Sequence, residues 1–168
     1  MMAHNEHPPL PDIRPLYRAD APLLHAGLWA DMTVAAVRAR VERLCRAAET
    51  KRGQAFVVSV GTRIVGYGQI LRLTTCAEIS DLLIAGAYRG RGLGTRLIER
   101  CIAHMRARVT CIEIGAAVDN TRALALYRRL GFVDDHTRTL NLGDGLVRVQ
   151  YLRWQADDPQ SFTDSPAE

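Results

Sequence analysis

Residues 88–95 read Tyr88-Arg89-Gly90-Arg91-Gly92-Leu93-Gly94-Thr95, and their flanks constrain the fold more than any other stretch of the chain. On one side Ile79, Leu82, Leu83 and Ile84 form a run of branched aliphatics ending at Gly86, the pattern of a buried strand. On the other, Leu93, Leu97, Ile98, Cys101, Ile102 and Met105 recur at helical spacing, with Arg96, Glu99, Arg100 and Arg106 on the opposite side. A glycine-rich loop therefore joins a strand to the first turn of a helix. The first N–H groups of a helix lack intrahelical partners and sit at the positive end of its dipole, which suits an anion. Glycine at 90, 92 and 94 removes side chains that would hold a phosphate away, and Arg89 and Arg91 add charge. The expected ligand is phosphorylated.

Two familiar phosphate loops do not fit. A Walker A loop needs Lys followed by Ser or Thr after its last glycine, and the only lysine is Lys51. A dinucleotide fingerprint needs a third glycine where this chain has Thr95. What remains is Arg89-x-x-Gly92-x-Gly94. About thirty residues on, Cys111 to Val118 reads as another strand, and Asp119 or Asn120 can cap the helix that follows. That helix runs from Thr121 to Leu130 and stops at Gly131. It carries the string N-x-x-A-x-x-L-Y-x-x-L-G-F, from Asn120 to Phe132.

The two strings, in this order, resemble the coenzyme A site of the GNAT family of N-acetyltransferases, well over residues 55 to 133 and loosely in the flanks. The resemblance implies acetyl-CoA as acyl donor, with the pyrophosphate on Arg89, Gly90, Arg91, Gly92, Leu93, Gly94 and Thr95. It implies that the strand ahead of the loop splays from its neighbour, so that Leu82, Leu83 and Ile84 offer free backbone groups to the pantetheine arm. Asn120 would bond that arm, Ala123 would line it, and Tyr127 would protonate the departing thiolate. Tyr127 lies seven residues after Asn120, two turns on and on the same helix face. A core aromatic packed under the sheet would show the same spacing. Acetyl transfer in this family is direct, so no nucleophilic Ser or Cys is needed.

For the base that takes the amine proton there are two candidates, Glu78 and Asp81, and many family members use a water chain instead. Glu78 stands four residues before Leu82, the spacing of the glutamate base in the histone-acetylating branch. Strand alternation sends Glu78 and Asp81 to opposite faces unless a bulge intervenes. Either carboxylate can equally be an edge residue paired with an arginine. Two departures limit the resemblance. Gly86 stands where Pro is common, and Gly115 stands five residues before Asn120, where the branch acetylating a ribosomal protein carries Glu. The acceptor expected is thus a primary amine of a small molecule or of an unassigned peptide.

Composition agrees with one globular domain. At 168 residues the chain can bury roughly two-thirds of its unfolded surface. Its 48% hydrophobic and 24% charged residues are those of an ordinary soluble protein. No apolar stretch approaches the roughly 20 residues of a membrane helix, and residues 1–11 show no secretory h-region, so a cytoplasmic location without a membrane partner is expected. The net charge of +4 comes from 22 basic residues, all but Lys51 arginine, spread along the chain. With aromatics at 6% and no basic run, no nucleic-acid partner is expected. Arg38, Arg40, Arg43 and Arg46 read as a solvated helix face, whereas Arg128 and Arg129 would meet the 3′-phosphate of coenzyme A. Cys45, Cys76, Cys101 and Cys111 lack C-x-x-C spacing and read as buried free thiols, and no metal site is expected.

The expected class is α/β: a central mixed, mostly antiparallel sheet flanked by helices, in the order β-α-α-β-β-β-α-β-α-β-β. A first strand over Asp12–Tyr17 and a helix start at Asp20-Ala21-Pro22 lead to a second helix with an apolar stripe of Val34, Val37, Val41, Leu44 and Ala48. Hairpins follow at Gly61-Thr62 and around Gly143-Asp144-Gly145. The expected organisation is a flexible tail over 1–11, one domain over 12–154 and a disordered tail over 155–168, with a homodimer through the last hairpin. The alternative function is a catalytically silent acyl-CoA-binding module acting as a sensor or partner domain.

Overall fold

The computed structural model describes residues 10–141 and 145–155. The strands are β1 (Asp12–Pro15), β2 (Gly53–Val60), β3 (Arg63–Arg72), β4 (Cys76–Ile84), β5 (Cys111–Ala117), β6 (Val133–Asn141) and β7 (Leu146–Gln155). The helices are α1 (Ala21–Gly27), α2 (Val34–Glu49), α3 (Leu93–Met105) and α4 (Thr121–Arg129), with short 3-10 turns before α1 and after β4. This is the order expected from the sequence. One seven-stranded sheet runs β1-β2-β3-β4-β5-β7-β6, and every neighbouring pair is antiparallel except β4–β5.

Alternation along the strands sorts the side chains into two layers. Phe56, Val58, Val65, Ile70, Ala77, Ile79, Ile112, Ile114 and Leu152 pack against Leu93, Leu97, Ile98, Cys101 and Met105 of α3 and against Leu124 and Tyr127 of α4. On the other face Ala55, Val57, Ile64 and Tyr67 pack against Leu24 of α1 and Val37, Val41, Leu44 and Cys45 of α2. Among the described residues this second cluster holds nothing from β5, β6 or β7. The α1–α2 layer thus covers one half of its face and leaves the half around β5 and β7 open.

Several expectations shift when partners are visible. β1 ends at Pro15, because Arg14 and the Tyr17 N–H both turn to the Asp20 carboxylate, each at 2.8 Å. Val34 is half exposed, and Cys45 completes the apolar stripe of α2 in its place. The helix after the glycine loop begins at Leu93, after Gly92 with φ +74°. β7 extends through Gln155, one residue into the expected tail. Cys45 and Cys101 are buried free thiols. Cys76 and Cys111 are not free: they face each other on the first β4–β5 rung, with Cα atoms 4.7 Å apart, and form a disulfide. No local spacing foretells that bond, because its two ends are 35 residues apart. The terminal-tail expectations for residues 1–9 and 156–168 and most of the Gly143-Asp144-Gly145 turn lie outside the described residues.

Candidate active site

The loop begins after a 3-10 turn at Gly86–Tyr88. Gly90 and Gly92 both take φ +74°, a left-handed conformation strained for any residue with a Cβ. Gly94 is different. It has ordinary φ, and a Cβ built on it meets no protein atom within 4 Å, so nothing in the fold itself requires glycine there. The first intrahelical bond of this region is from the Arg96 N–H to the Gly92 carbonyl, which leaves the N–H groups of Leu93, Gly94 and Thr95 ahead of it. The Leu93 side chain is buried in the core, so only its backbone faces the loop. Arg89 is committed inward, its Nε–H donating to the Ile84 carbonyl at 3.0 Å. Arg91 lies over the Tyr88 ring, 5.3 Å from its centroid. Arg122, from the first turn of α4, reaches across: its Nη2 lies 3.9 Å from a Cβ built on Gly90.

Behind the loop the sheet opens. β4 and β5 pair from Cys76–Cys111 as far as Ile79–Ile114 and no further. Both strands continue: β4 stays paired to β3 through Ile84, and β5 stays paired to β7 through Ala117. Ser80–Ile84 and Gly115–Ala117 therefore present ladder edges toward each other with no rungs between them. The divergence starts at a β-bulge at Asp81, whose φ is +54°. Such a conformation in a non-glycine residue costs about 1–3 kcal/mol and persists only where surroundings enforce it. Here Asp81 accepts from Arg40 Nη2 at 2.7 Å and from Gln69 Nε2 at 2.9 Å. Gln69 is itself held by the buried Tyr67 hydroxyl at 2.7 Å, and Arg40 stacks 4.6 Å over the Trp29 ring.

α4 borders this opening. Asn120 is its N-cap, with Oδ1 accepting from the Ala123 N–H at 3.2 Å, so the Asn120 amide NH2 is left to donate elsewhere. Ala123 packs at the margin of the core. Tyr127 is 7% exposed, its ring tilted against Phe132 at 6.4 Å. Its hydroxyl makes no hydrogen bond among the described residues, and it is not one of the sealed unpartnered atoms, which are His136 Nε2 and Arg153 Nε. Burial raises its pKa, so the phenol keeps its proton.

The face of β4, β5 and β7 left open by α1 and α2 carries the acids. Ala77 and Ile79 point to α3, so Glu78 points the other way, half-buried. Burial first, then the charges of Glu113 and Asp81, push its carboxyl above the ordinary range, against a smaller pull from Arg138. Glu113 is bridged to Arg153 at 2.8 Å. Gly115 meets Tyr151 across the β5–β7 ladder, and a Cβ there would stand 2.9 Å from Val149 Cγ1 and 3.1 Å from Tyr151 Cε1.

The Acetyltransferase (GNAT) family model matches residues 13–132, most of the chain. The chain belongs to the GNAT family. It is 38% identical over 76 residues to the N-alpha-acetyltransferase RimI of Mycobacterium tuberculosis, covering 43% of this chain and 47% of that protein. To the N-alpha-acetyltransferase MAK3 of Arabidopsis thaliana it is 40% identical over 75 residues, 44% of this chain and 39% of the other. The matched stretch thus spans less than half the length of these relatives. Among solved structures, the ribosomal-protein-alanine N-acetyltransferase of Brucella melitensis superposes with TM-score 0.72 at 21% identity, over 86% of this chain and 99% of that one. The putative acetyltransferase yncA of Salmonella typhimurium, solved with acetyl-CoA, gives 0.70 at 21%, over 88% and 95%. These two share the fold.

Within this GNAT chain the structure gathers the glycine loop, the parted edge of β4 and the first turn of α4 on one side of the sheet. Glu78 stands on the other. Asp81 also turns to the α2 side, because the bulge inserts one residue and cancels the alternation expected between them. Asp81 is tied to Arg40, whereas Glu78 makes no hydrogen bond or ion pair among the described residues. Arg128 does not turn to the loop: it forks onto Asp134 at 2.9 and 2.8 Å. The cation that does reach the loop, Arg122, was missed, as were Glu113 and Tyr151. Glu113 had a readable signal: an acid alternating with Ile112 and Ile114 marks the face of β5 turned away from the core.

Proposed function

We propose that the chain is an acetyl-CoA-dependent N-acetyltransferase that passes the acetyl group directly to a primary amine of a small molecule or peptide. The observation that carries this is the end of the β4–β5 ladder at Ile79–Ile114 while both strands run on. The β5-facing edge of Leu82, Leu83 and Ile84, where Arg89 takes only the Ile84 carbonyl, costs its remaining backbone hydrogen bonds unless a ligand arm supplies them. It leads straight into the αL glycines and the free N–H groups of α3.

Each residue then has a defined task. The N–H groups of Leu93, Gly94 and Thr95 hold the pyrophosphate, with Gly90, Gly92 and Gly94 keeping the approach clear and Arg122 and Arg91 adding charge. Arg89 fixes the loop by its bond to the Ile84 carbonyl. The Asn120 amide donates to the pantetheine arm, and Ala123 packs beside it. A backbone N–H of β4 donates to the thioester oxygen as negative charge builds there. Glu78 takes the proton of the acceptor amine as its nitrogen bonds the acetyl carbon. As the carbon–sulfur bond breaks, Tyr127 gives its proton to the sulfur. Asp81 holds the bulge open rather than acting as base, since Arg40 and Gln69 occupy it.

Gly94→Asp tests the reading cleanly. The new Cβ meets no protein atom within 4 Å and the backbone there has ordinary φ, so the fold should be kept while a carboxylate is set among groups arranged for phosphate. Titration calorimetry should show wild type binding acetyl-CoA and the variant weakened by at least about tenfold. A folded wild type that does not bind acetyl-CoA refutes the proposal; binding justifies a screen of primary amines by thiol release.

A further inference from the structure

Glu78 and Glu113 are rung partners on adjacent parallel strands. Their neighbours Ala77, Ile79, Ile112 and Ile114 all pack against α3, so both carboxylates stand on the open face, side by side at strand spacing of about 4.8 Å. The next rung, Ile79–Ile114, turns back into the core and is the last before the strands part. Glu78–Glu113 is thus the last rung on this face before the opening. The two acids are not equivalent. Glu113 is bridged by Arg153 at 2.8 Å and its side chain is 15% exposed; Arg153 also reaches Asp135 at 3.3 Å. Glu78 has no such partner among the described residues. The charged and titratable groups facing it are Glu113 on β5, Asp81 on its own strand, Arg138 on β6 and Tyr151 on β7, while its β3 partner is the apolar Leu71.

We infer that Glu113 is a positioning residue: bridged by Arg153 on the rung beside Glu78, it leaves Glu78 as the one member of the pair that takes up a proton. A like charge on the same rung disfavours a second one, and Glu113 is the member of the pair that has the counterion. Arg153 makes that choice. Glu78, raised first by burial and next by the charge of Glu113, is moved toward the range in which it can accept a proton from the acceptor amine. A cationic primary amine arriving on this face meets one carboxylate without a counterion, and it is Glu78. The inference rests on the reading of Glu78 as base and adds a residue that no motif marks.

The test needs no acceptor. In protein labelled at the glutamate side-chain carboxyl carbons, the Glu78 resonance is assigned by its loss in Glu78→Gln and followed against pH. In Glu113→Gln the Glu78 midpoint should fall by about one unit. In Arg153→Gln, where Glu113 loses its bridging guanidinium, the Glu78 curve should become biphasic. An unchanged midpoint in a folded Glu113→Gln, or a single unshifted transition in Arg153→Gln if the first variant does not fold, overturns the inference. Once an amine is in hand, the acid limb of kcat/KM should move with the Glu78 midpoint. If Glu78→Gln keeps both rate and limb, the base reading fails and the positioning role of Glu113 in catalysis fails with it. If Glu78→Gln loses the limb but Glu113→Gln shifts neither resonance nor limb, only the role of Glu113 fails.

Discussion

Removing one oxygen from Tyr127 separates an acid from a packing residue. The ring belongs to the main core, tilted against Phe132, and Tyr127→Phe keeps every one of those contacts. The hydroxyl has no hydrogen-bond partner within the described residues. Buried tyrosine hydroxyls usually find one, so this atom is doing nothing for the fold. Its loss should change stability by less than about 1 kcal/mol, because no intramolecular bond is broken. If the phenol protonates the leaving sulfur, kcat should fall by about 10²–10⁴, equivalent to roughly 3–5 kcal/mol of barrier, with acetyl-CoA affinity preserved. Burial raises the phenol pKa, so wild-type activity should persist to high pH and fall only as Tyr127 ionises; that fall should vanish in the variant. Thiol release from acetyl-CoA gives kcat and its pH profile, and calorimetry gives the affinity. Equal kcat for the two proteins would refute the acid role. Equal binding with no turnover of any amine by either protein would instead mark a silent acyl-CoA-binding module.

Gly94→Asp should lose acetyl-CoA affinity by about tenfold or more at unchanged melting temperature, read by calorimetry beside a thermal melt. Glu113→Gln should lower the Glu78 titration midpoint by about one unit, read by carbon NMR. Gly115→Glu places a side chain where even a Cβ stands 2.9 Å from Val149 Cγ1. It should destabilise the fold by about 1–3 kcal/mol in urea melts through overpacking, and not create a base. Asp20→Asn breaks the fork from Arg14 at 2.8 Å and weakens the acceptor of the Tyr17 N–H, at a cost of about 1–3 kcal/mol. Burial works to raise the Asp20 pKa, but the Arg14 and Tyr17 bonds outweigh it and the net shift is downward. A depressed carboxyl stabilises the fold above its unfolded pKa and loses that contribution as pH falls through its folded pKa. Urea melts across the acid range should thus show a smaller loss in Asp20→Asn than in wild type.

The loop, the capped helix from Asn120 to Gly131 and the order of elements were legible because their determinants are local: glycine at left-handed positions, apolar periodicity, a cap three residues from the N–H it accepts. Family resemblance then supplied the tasks proposed for Tyr127 and the loop. What stayed hidden was set by partners far off in sequence. The bulge at Asp81 depends on Gln69 and on Arg40, which pairing of β3 with β4 and packing of α2 bring to it. Cys76 meets Cys111 only once β4 and β5 lie parallel. Arg128 looked free for phosphate because Asp134 lies beyond the turn at Gly131. Glu113 gained meaning only from its rung partner, an acid on another strand.

The parted strands also divide what can vary from what cannot. Contact between a ligand arm and a backbone edge depends on where a ladder stops, not on which side chains stand along it. Mutational drift at Leu82 or Leu83 therefore leaves that grip intact so long as the register and the Asp81 bulge survive. Positions 78, 113 and 151 alternate with core positions on the same strands and project away from the donor side. On the proposed function, substitution at 151 redraws the choice of amine while 78 and 113 keep the proton step, and the hydrophobic layer on the far side of the sheet is untouched. A chain built this way would carry a backbone grip and a variable face on neighbouring strands, so a change of acceptor would need no change of architecture.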